Sequence, residues 1–178
     1  YAQGYDKAKA GSSALIAAVE RNLRLEIAHW RGRVCAVVFN DFEKFFDTID
    51  IRPLLTEACV LDFPADLMTL GMQQHLAPRL LQAEGYTSKP IEVSRSILQG
   101  CGLSVALTRL FLLRDIHALV GRHPAANVSV YVDDTSADAA CDSFQEIEDT
   151  LVPFTVDFAN LIHAKHLKLT KGVIVADT

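Results

Sequence analysis

The 178-residue chain has no long apolar run: its longest, Val34 to Phe39 and Leu110 to Leu113, are far too short to span a bilayer. No charged n-region followed by an apolar core opens it at Tyr1-Ala-Gln-Gly, so no secretory leader is expected. Cysteine is sparse. Cys35, Cys59, Cys101 and Cys141 stand far apart without a CxxC pair, which argues against a zinc ribbon and a disulfide-dense secreted scaffold. The expected setting is a reducing one, intracellular and either nuclear or cytoplasmic, with no membrane partner. His163 and His166 lie three apart, but no nearby Cys or Glu completes a zinc set. A basic excess is missing too: the formal net charge is −5, whereas surfaces that track phosphate backbones are usually basic. No internal repeat, low-complexity tract or linker divides the chain, so one domain is expected.

What is present is a globular composition, 50% hydrophobic and 22% charged. The chain opens without methionine and reaches Asp177-Thr178 inside what reads as a strand, so a segment of a longer polypeptide is expected. Leu15, Ile16, Val19, Leu23, Leu25 and Ile27 recur at helical spacing over Ala14 to His29, with Ser12-Ser13 available as N-cap. Val34 to Phe39 reads as a buried strand running into Asn40-Asp41. Asp50 is placed to cap a helix with Pro53 in its first turn and Leu54, Leu55 and Ala58 inward. Pro64 to Ala77 suggests another helix. Arg79 to Ala83 and Ile91 to Arg95 suggest a hairpin around an intervening loop. After the Gln99-Gly-Cys-Gly102 loop, Leu103 to Val120 reads as an apolar helix ending at Gly121. Val128, Val130 and Val132 alternate with polar positions as in a strand, and Asp133-Asp134 marks a turn before a short return strand. Ser143 to His166 reads as helix interrupted near Pro153, and Leu167 to Ala176 as a closing strand. Helices and antiparallel strands in this order indicate an α+β fold, with helices from Pro53, Leu103 and Ser143 on one face of the sheet.

Three carboxylates share a context. Asp41 ends an apolar strand, and Asp133 and Asp134 sit at a hairpin tip. Acidic groups are costly to bury unpaired, and their repulsion at such positions is relieved by a divalent cation. Mg²⁺ prefers oxygen ligands and retains positions for water and substrate phosphates. The Asp-Asp pair by itself reads as an ordinary solvated turn, and it gains meaning only in company.

The company is a series of motifs. Asn40-Asp41-Phe-Glu-Lys-Phe-Phe46-Asp47-Thr-Ile49-Asp50 resembles the first palm motif of reverse transcriptases. Ile97-Leu-Gln99-Gly100-Cys-Gly102-Leu-Ser104 resembles their second motif, a Gln-Gly loop leading into a long helix. Tyr131-Val-Asp133-Asp134 is similar to the Tyr-x-Asp-Asp box, and His166-Leu-Lys-Leu-Thr-Lys171-Gly-Val-Ile-Val175 to the fourth motif. All four occur in the family's order over about residues 30 to 176, nearest to the non-LTR retrotransposon and group II intron branch.

That resemblance implies a polymerase palm over residues 34–178 preceded by a partial fingers segment at 1–33, with no thumb. The implied activity is RNA-directed DNA polymerisation. Two Mg²⁺ ions, or Mn²⁺ in their place, would promote addition of deoxynucleoside triphosphates to a primer 3′-OH on an RNA or DNA template. Asp41, Asp133 and Asp134 would hold the metal ions, with the Phe42 carbonyl as a further ligand. Phe46 matches the steric gate against a ribose 2′-hydroxyl; the competing reading is a core phenylalanine beside Phe45. Gln99 and Gly100 would line the nucleotide side. Lys171 matches a lysine that protonates pyrophosphate, or is simply an exposed lysine. Tyr131 would support the primer end, or fill the pleat. Gly102 stands where the family usually has proline, Thr108 where an aromatic is frequent, and Lys168 in place of a frequent asparagine. The partners implied include fingers and thumb segments of a parent protein, without which weak or no activity is expected. Two alternatives remain: an RNA-dependent RNA polymerase, against which Phe46 and Tyr131 weigh, and an inactive remnant that binds nucleic acid or protein.

Overall fold

The computed structural model describes residues 4–177, with side chains at all of these except 171 and 177. It divides into two compact units, Tyr1–Glu43 with Leu113–Thr178, and Lys44–Leu112.

The first unit is built on a four-stranded antiparallel sheet in the order β4-β5-β1-β6. Its strands are β1 (Val34–Phe42), β4 (Asn127–Tyr131), β5 (Asp134–Cys141) and β6 (Leu169–Asp177), and its main helices are α1 (Ala14–Trp30) and α6 (Phe144–Ala164). Strand alternation separates two faces. On one, Phe42 meets Phe158 of α6 edge to face at 6.2 Å between ring centroids. Ile147, Leu151, Phe154, Phe158 and Ile162 form the buried stripe of α6. Each such side chain contributes on the order of 2 kcal/mol on burial. Pro153 does not interrupt α6, contrary to the sequence expectation. Its ring lies on the exposed side, away from the buried stripe, and the apolar spacing continues across it.

The other face carries α1, held by an unexpected set of residues. Ser13 caps the helix as its position suggests, its Oγ accepting from the Ile16 amide at 3.2 Å. Ala17 and Ala28 are the buried residues, and Arg24 forms a two-pronged pair with Asp138, which is 1% exposed. Most of the apolar residues at helical spacing point outward: Leu15 is 73% exposed and Ile16, Val19, Leu23 and Ile27 are all exposed, as is Trp30 at 83%, while Leu25 is half-buried. Periodicity reveals that a helix has two faces; small residues permit the closer approach to the sheet.

The second unit contains α2 (Phe45–Thr48), α3 (Ile51–Val60), α4 (Ala65–His75), the hairpin of β2 (Gln82–Ala83) with β3 (Tyr86–Thr87), and the start of α5 (Ser104–Arg122). Asp50 caps α3 through Arg52 N at 3.0 Å. Leu54 and Ala58 are buried, while Leu55 is exposed. The hairpin is tighter than expected. Glu84 and Gly85 take φ of 49° and 83°, the two left-handed positions of a type I′ turn, so the return strand lies inside the segment read as a loop. Only an isolated bridge joins Arg79 to Ile91. The helix at Pro53 thus belongs to this unit, and the helices packed on the sheet within the first unit are α1 and α6. Helix α5 continues through Gly121 to Arg122.

Candidate active site

The β4-β5 hairpin turns on two residues, Val132 and Asp133, between the paired Tyr131 and Asp134. Val132 has φ 59°, a left-handed position that a β-branched side chain rarely adopts. Positive φ at the first central residue alone is the pattern of a type II′ turn. The turn therefore stores strain at the tip that carries the carboxylates.

The register of β1 against β5 ends at Asn40↔Thr135, which brings Asp41 level with Asp134 one step further on. Residues opposite each other in an antiparallel ladder share a face. Asp41 and Asp134 accordingly line one cleft of about 430 Å³, together with Tyr131, Ser129, Ser136, Phe39 and the α1 residues Ala14, Ala17, Ala18 and Arg21. Asp133 lies beside this cleft in the turn. Burial raises the Asp134 carboxyl above the ordinary aspartate range, and the charges of Asp133 and Asp41 raise it further. The charges of Asp133 and Asp41 thus both reach the Asp134 carboxyl.

On its other side β1 pairs with β6, and a β-bulge falls between Asp41 and Phe42. Asp41 faces Lys171 and Phe42 faces Leu169, leaving Thr170 as the extra residue. Its hydroxyl lies 3.0 Å from Asp41 Oδ2 and 3.1 Å from the Asp41 carbonyl oxygen, donating to that residue. The Lys171 backbone is thereby set beside Asp41; its side chain lies outside the described residues. Phe42 is buried, its ring in the core.

Phe46, Gln99 and Gly100 lie in the second unit. The Ile97 amide donates to the Phe46 carbonyl at 2.8 Å, which ties the Phe46 segment to the stretch leading into the Gln-Gly loop. Phe46 is partly exposed and packs edge to face on Phe45, which is buried. Gln99 and Gly100 are exposed, and Gly100 has φ 79°, a conformation that favours glycine. Ser104 closes the loop by donating to the Leu98 carbonyl, and His75 Nδ1 accepts from the Leu98 amide at 2.9 Å.

Arg21 of α1 lines the cleft, and Arg24 on the same helix pairs with the buried Asp138 of β5. Arg21 Nη1 donates to Ser136 Oγ at 3.1 Å, and its guanidinium lies 4.5 Å from the centroid of the Phe39 ring. Burial lowers its pKa. Thr170, Ser136 and Arg21 left no signal of their own in the sequence, because each partner is more than a hundred residues away.

The donor set suits a hard cation. It is all oxygen, concentrated on one face, and Asp134 is held above its normal pKa by burial and then by neighbouring negative charge. Among the described residues no three His, Cys, Asp or Glu side chains converge closely enough to hold an ion by themselves. Such a set fits an ion bound by one or two carboxylates and completed by water or substrate oxygens, the habit of Mg²⁺.

The sheet with its carboxylate hairpin, backed by helices, is a fold of the reverse-transcriptase type. Solved structures give the particular likeness. The chain is similar to apo telomerase from Candida tropicalis truncated from its C-terminal domain (TM-score 0.65, 12% identity, 97% of this chain and 36% of that one). It is similar also to the C. tropicalis telomerase in complex with a TWJ fragment of telomeric RNA (TM-score 0.65, 10% identity, 97% and 30%). The Candida albicans telomerase complex with such a fragment gives TM-score 0.55 at 12% identity, over 96% and 31%. The chain thus spans about a third of the length of these telomerases. No family model and no curated protein matches the sequence. Among the described residues no helix is long and apolar enough to cross a membrane.

Proposed function

We propose that the chain is the catalytic core of an RNA-directed DNA polymerase, working within a longer polypeptide of the retroelement type. The observation that carries this reading is the cleft shared by Asp41 and Asp134 at the hairpin turn holding Asp133. The reverse-transcriptase-like fold supports it.

When bound, Mg²⁺ or Mn²⁺ would lower the pKa of the primer 3′-hydroxyl and neutralise charge on the departing pyrophosphate. The chain's own residues supply the rest. Asp41, Asp133 and Asp134 would hold the ions, with the Phe42 carbonyl as a further oxygen. Thr170 fixes one oxygen of Asp41 and so orients the other. Tyr131 would steady the primer end from the cleft wall. Phe46 would exclude a 2′-hydroxyl, and Gln99 with Gly100 would line the nucleotide. Lys171 would deliver a proton to pyrophosphate. The template with its primer and the deoxynucleotides are the partners.

Primer extension by the longer polypeptide, with deoxy- and ribonucleotides compared on RNA and DNA templates, tests this. Extension with deoxynucleotides that requires Mg²⁺ or Mn²⁺, and falls at least a thousandfold in Asp41→Asn, is expected; that loss is on the order of 4 kcal/mol of barrier. Preference for ribonucleotides would replace the reading by RNA synthesis, and metal-independent or Asp41-independent extension would remove it.

A further inference from the structure

Leu98, the residue before Gln99 and Gly100, is held at both of its backbone groups by side chains of the second unit. Its amide donates to His75 Nδ1 at 2.9 Å, and its carbonyl accepts from the buried Ser104 hydroxyl. Just upstream, the Ser96 amide donates to the Ile49 carbonyl at 3.1 Å, and Ser96 stands at φ 109°, a backbone conformation strained for any side chain. Residues 96–98 are thus pinned, whereas Gln99 and Gly100 beyond them are exposed. A Cβ at Gly100 would meet nothing within 4 Å. The loop therefore takes its position from its root rather than from contacts at its tip.

His75, the last residue of α4, is fully buried, and its Nε2 is buried without a hydrogen-bond partner. An amide donating to Nδ1 puts the ring proton of the neutral imidazole on Nε2, so the ring carries an unpaired donor into the interior. Burial, followed by the Arg79 charge, favours that neutral ring by lowering its pKa. An apolar side chain of similar volume would fill the same space without stranding a polar group. Packing therefore does not account for an imidazole here; what the imidazole supplies is an acceptor for the Leu98 amide. We infer that His75 is a positioning residue, fixing through Leu98 the place from which Gln99 and Gly100 meet the incoming nucleotide. That the loop meets a nucleotide rests on the nucleotidyl-transfer reading; the anchoring of the loop by His75 does not.

Primer extension by the longer polypeptide at varied deoxynucleotide concentration gives the test. It compares His75→Asn, whose Oδ1 reproduces the acceptor at the Nδ1 position, with His75→Leu, which fills the volume without one. His75→Leu is expected to raise the KM for deoxynucleotides on the order of tenfold, the share of one hydrogen bond. Its kcat and its affinity for the primer–template should stay within about twofold of the parent, as befits a change in nucleotide binding alone. His75→Asn should hold the KM within about threefold of the parent's. If His75→Leu does not fold, His75→Gln, whose carbonyl lies one bond farther out and misplaces the acceptor, should show the same rise. A parental KM in the variant without a placed acceptor, or a rise of equal size in His75→Asn, would overturn the inference. So would kcat and primer affinity falling together with the KM, which would leave His75 a residue of the core. All of these outcomes keep the parent's extension intact. A parent that extends no primer with any nucleotide or metal would instead remove the polymerase reading, and the nucleotide role of His75 with it.

Discussion

Burial and the charges of Asp133 and Asp41 lift the Asp134 carboxyl, so the folded chain holds that proton more tightly than the unfolded chain. Between the ordinary value of 3.8 and the raised one, the native state binds more protons, and stability falls as pH rises through that window. Asp134→Asn removes the charge and should raise the melting temperature at pH 7 while leaving it unchanged near pH 3. A melting temperature at pH 7 no higher than the parent's would show that the carboxylates do not repel one another. Val132 offers a second measurement at this scale. Its left-handed backbone costs about 1 kcal/mol with a branched side chain, and asparagine tolerates the same conformation. Val132→Asn should therefore stabilise the chain by about that amount in urea unfolding.

Helix α1 separates what a pattern can show from what it cannot. Its existence and its Ser13 cap were legible, because capping and helical spacing are local properties. Which face would be buried was not, since the sheet accepts alanines and arginines on Asp138 and Ser136, contacts made across more than a hundred residues. The expected outcome of substitution inverts accordingly. Leu23→Glu, on the apolar stripe, should change the unfolding free energy by less than about 0.5 kcal/mol. Arg24→Met, on the charged face, should cost about 3 kcal/mol by stranding the buried Asp138. Equal costs measured by denaturant unfolding would mean that α1 packs the other way round.

For the whole molecule, the order of elements and the α+β class followed from the sequence, because long amphipathic helices and apolar strands announce themselves. The division into two units did not, since no linker marks it. The units also carry titrating groups of opposite sense. In the second, His75 is fully buried, and desolvation followed by the Arg79 charge lowers its pKa below 6.5. A depressed histidine gives stability that is present above 6.5 and lost as pH falls toward the folded value. Proton exchange at the Leu98 amide, which donates to this imidazole, should lose protection as the solution is acidified below 6.5. Protection unchanged down to the onset of global unfolding would dissociate His75 from that stability.

The bulge at Thr170 sets a parity for the end of β6. Deleting that one codon would make Leu169 and Lys171 neighbours and turn the irregular ladder beside Asp41 and Phe42 into an even one, with every other pair unchanged. Backbone pairing would survive, and Asp41 would lose the hydroxyl that holds its carboxylate. A single in-frame deletion should thus yield a chain that folds and melts much like the parent but positions its strand-end carboxylate poorly.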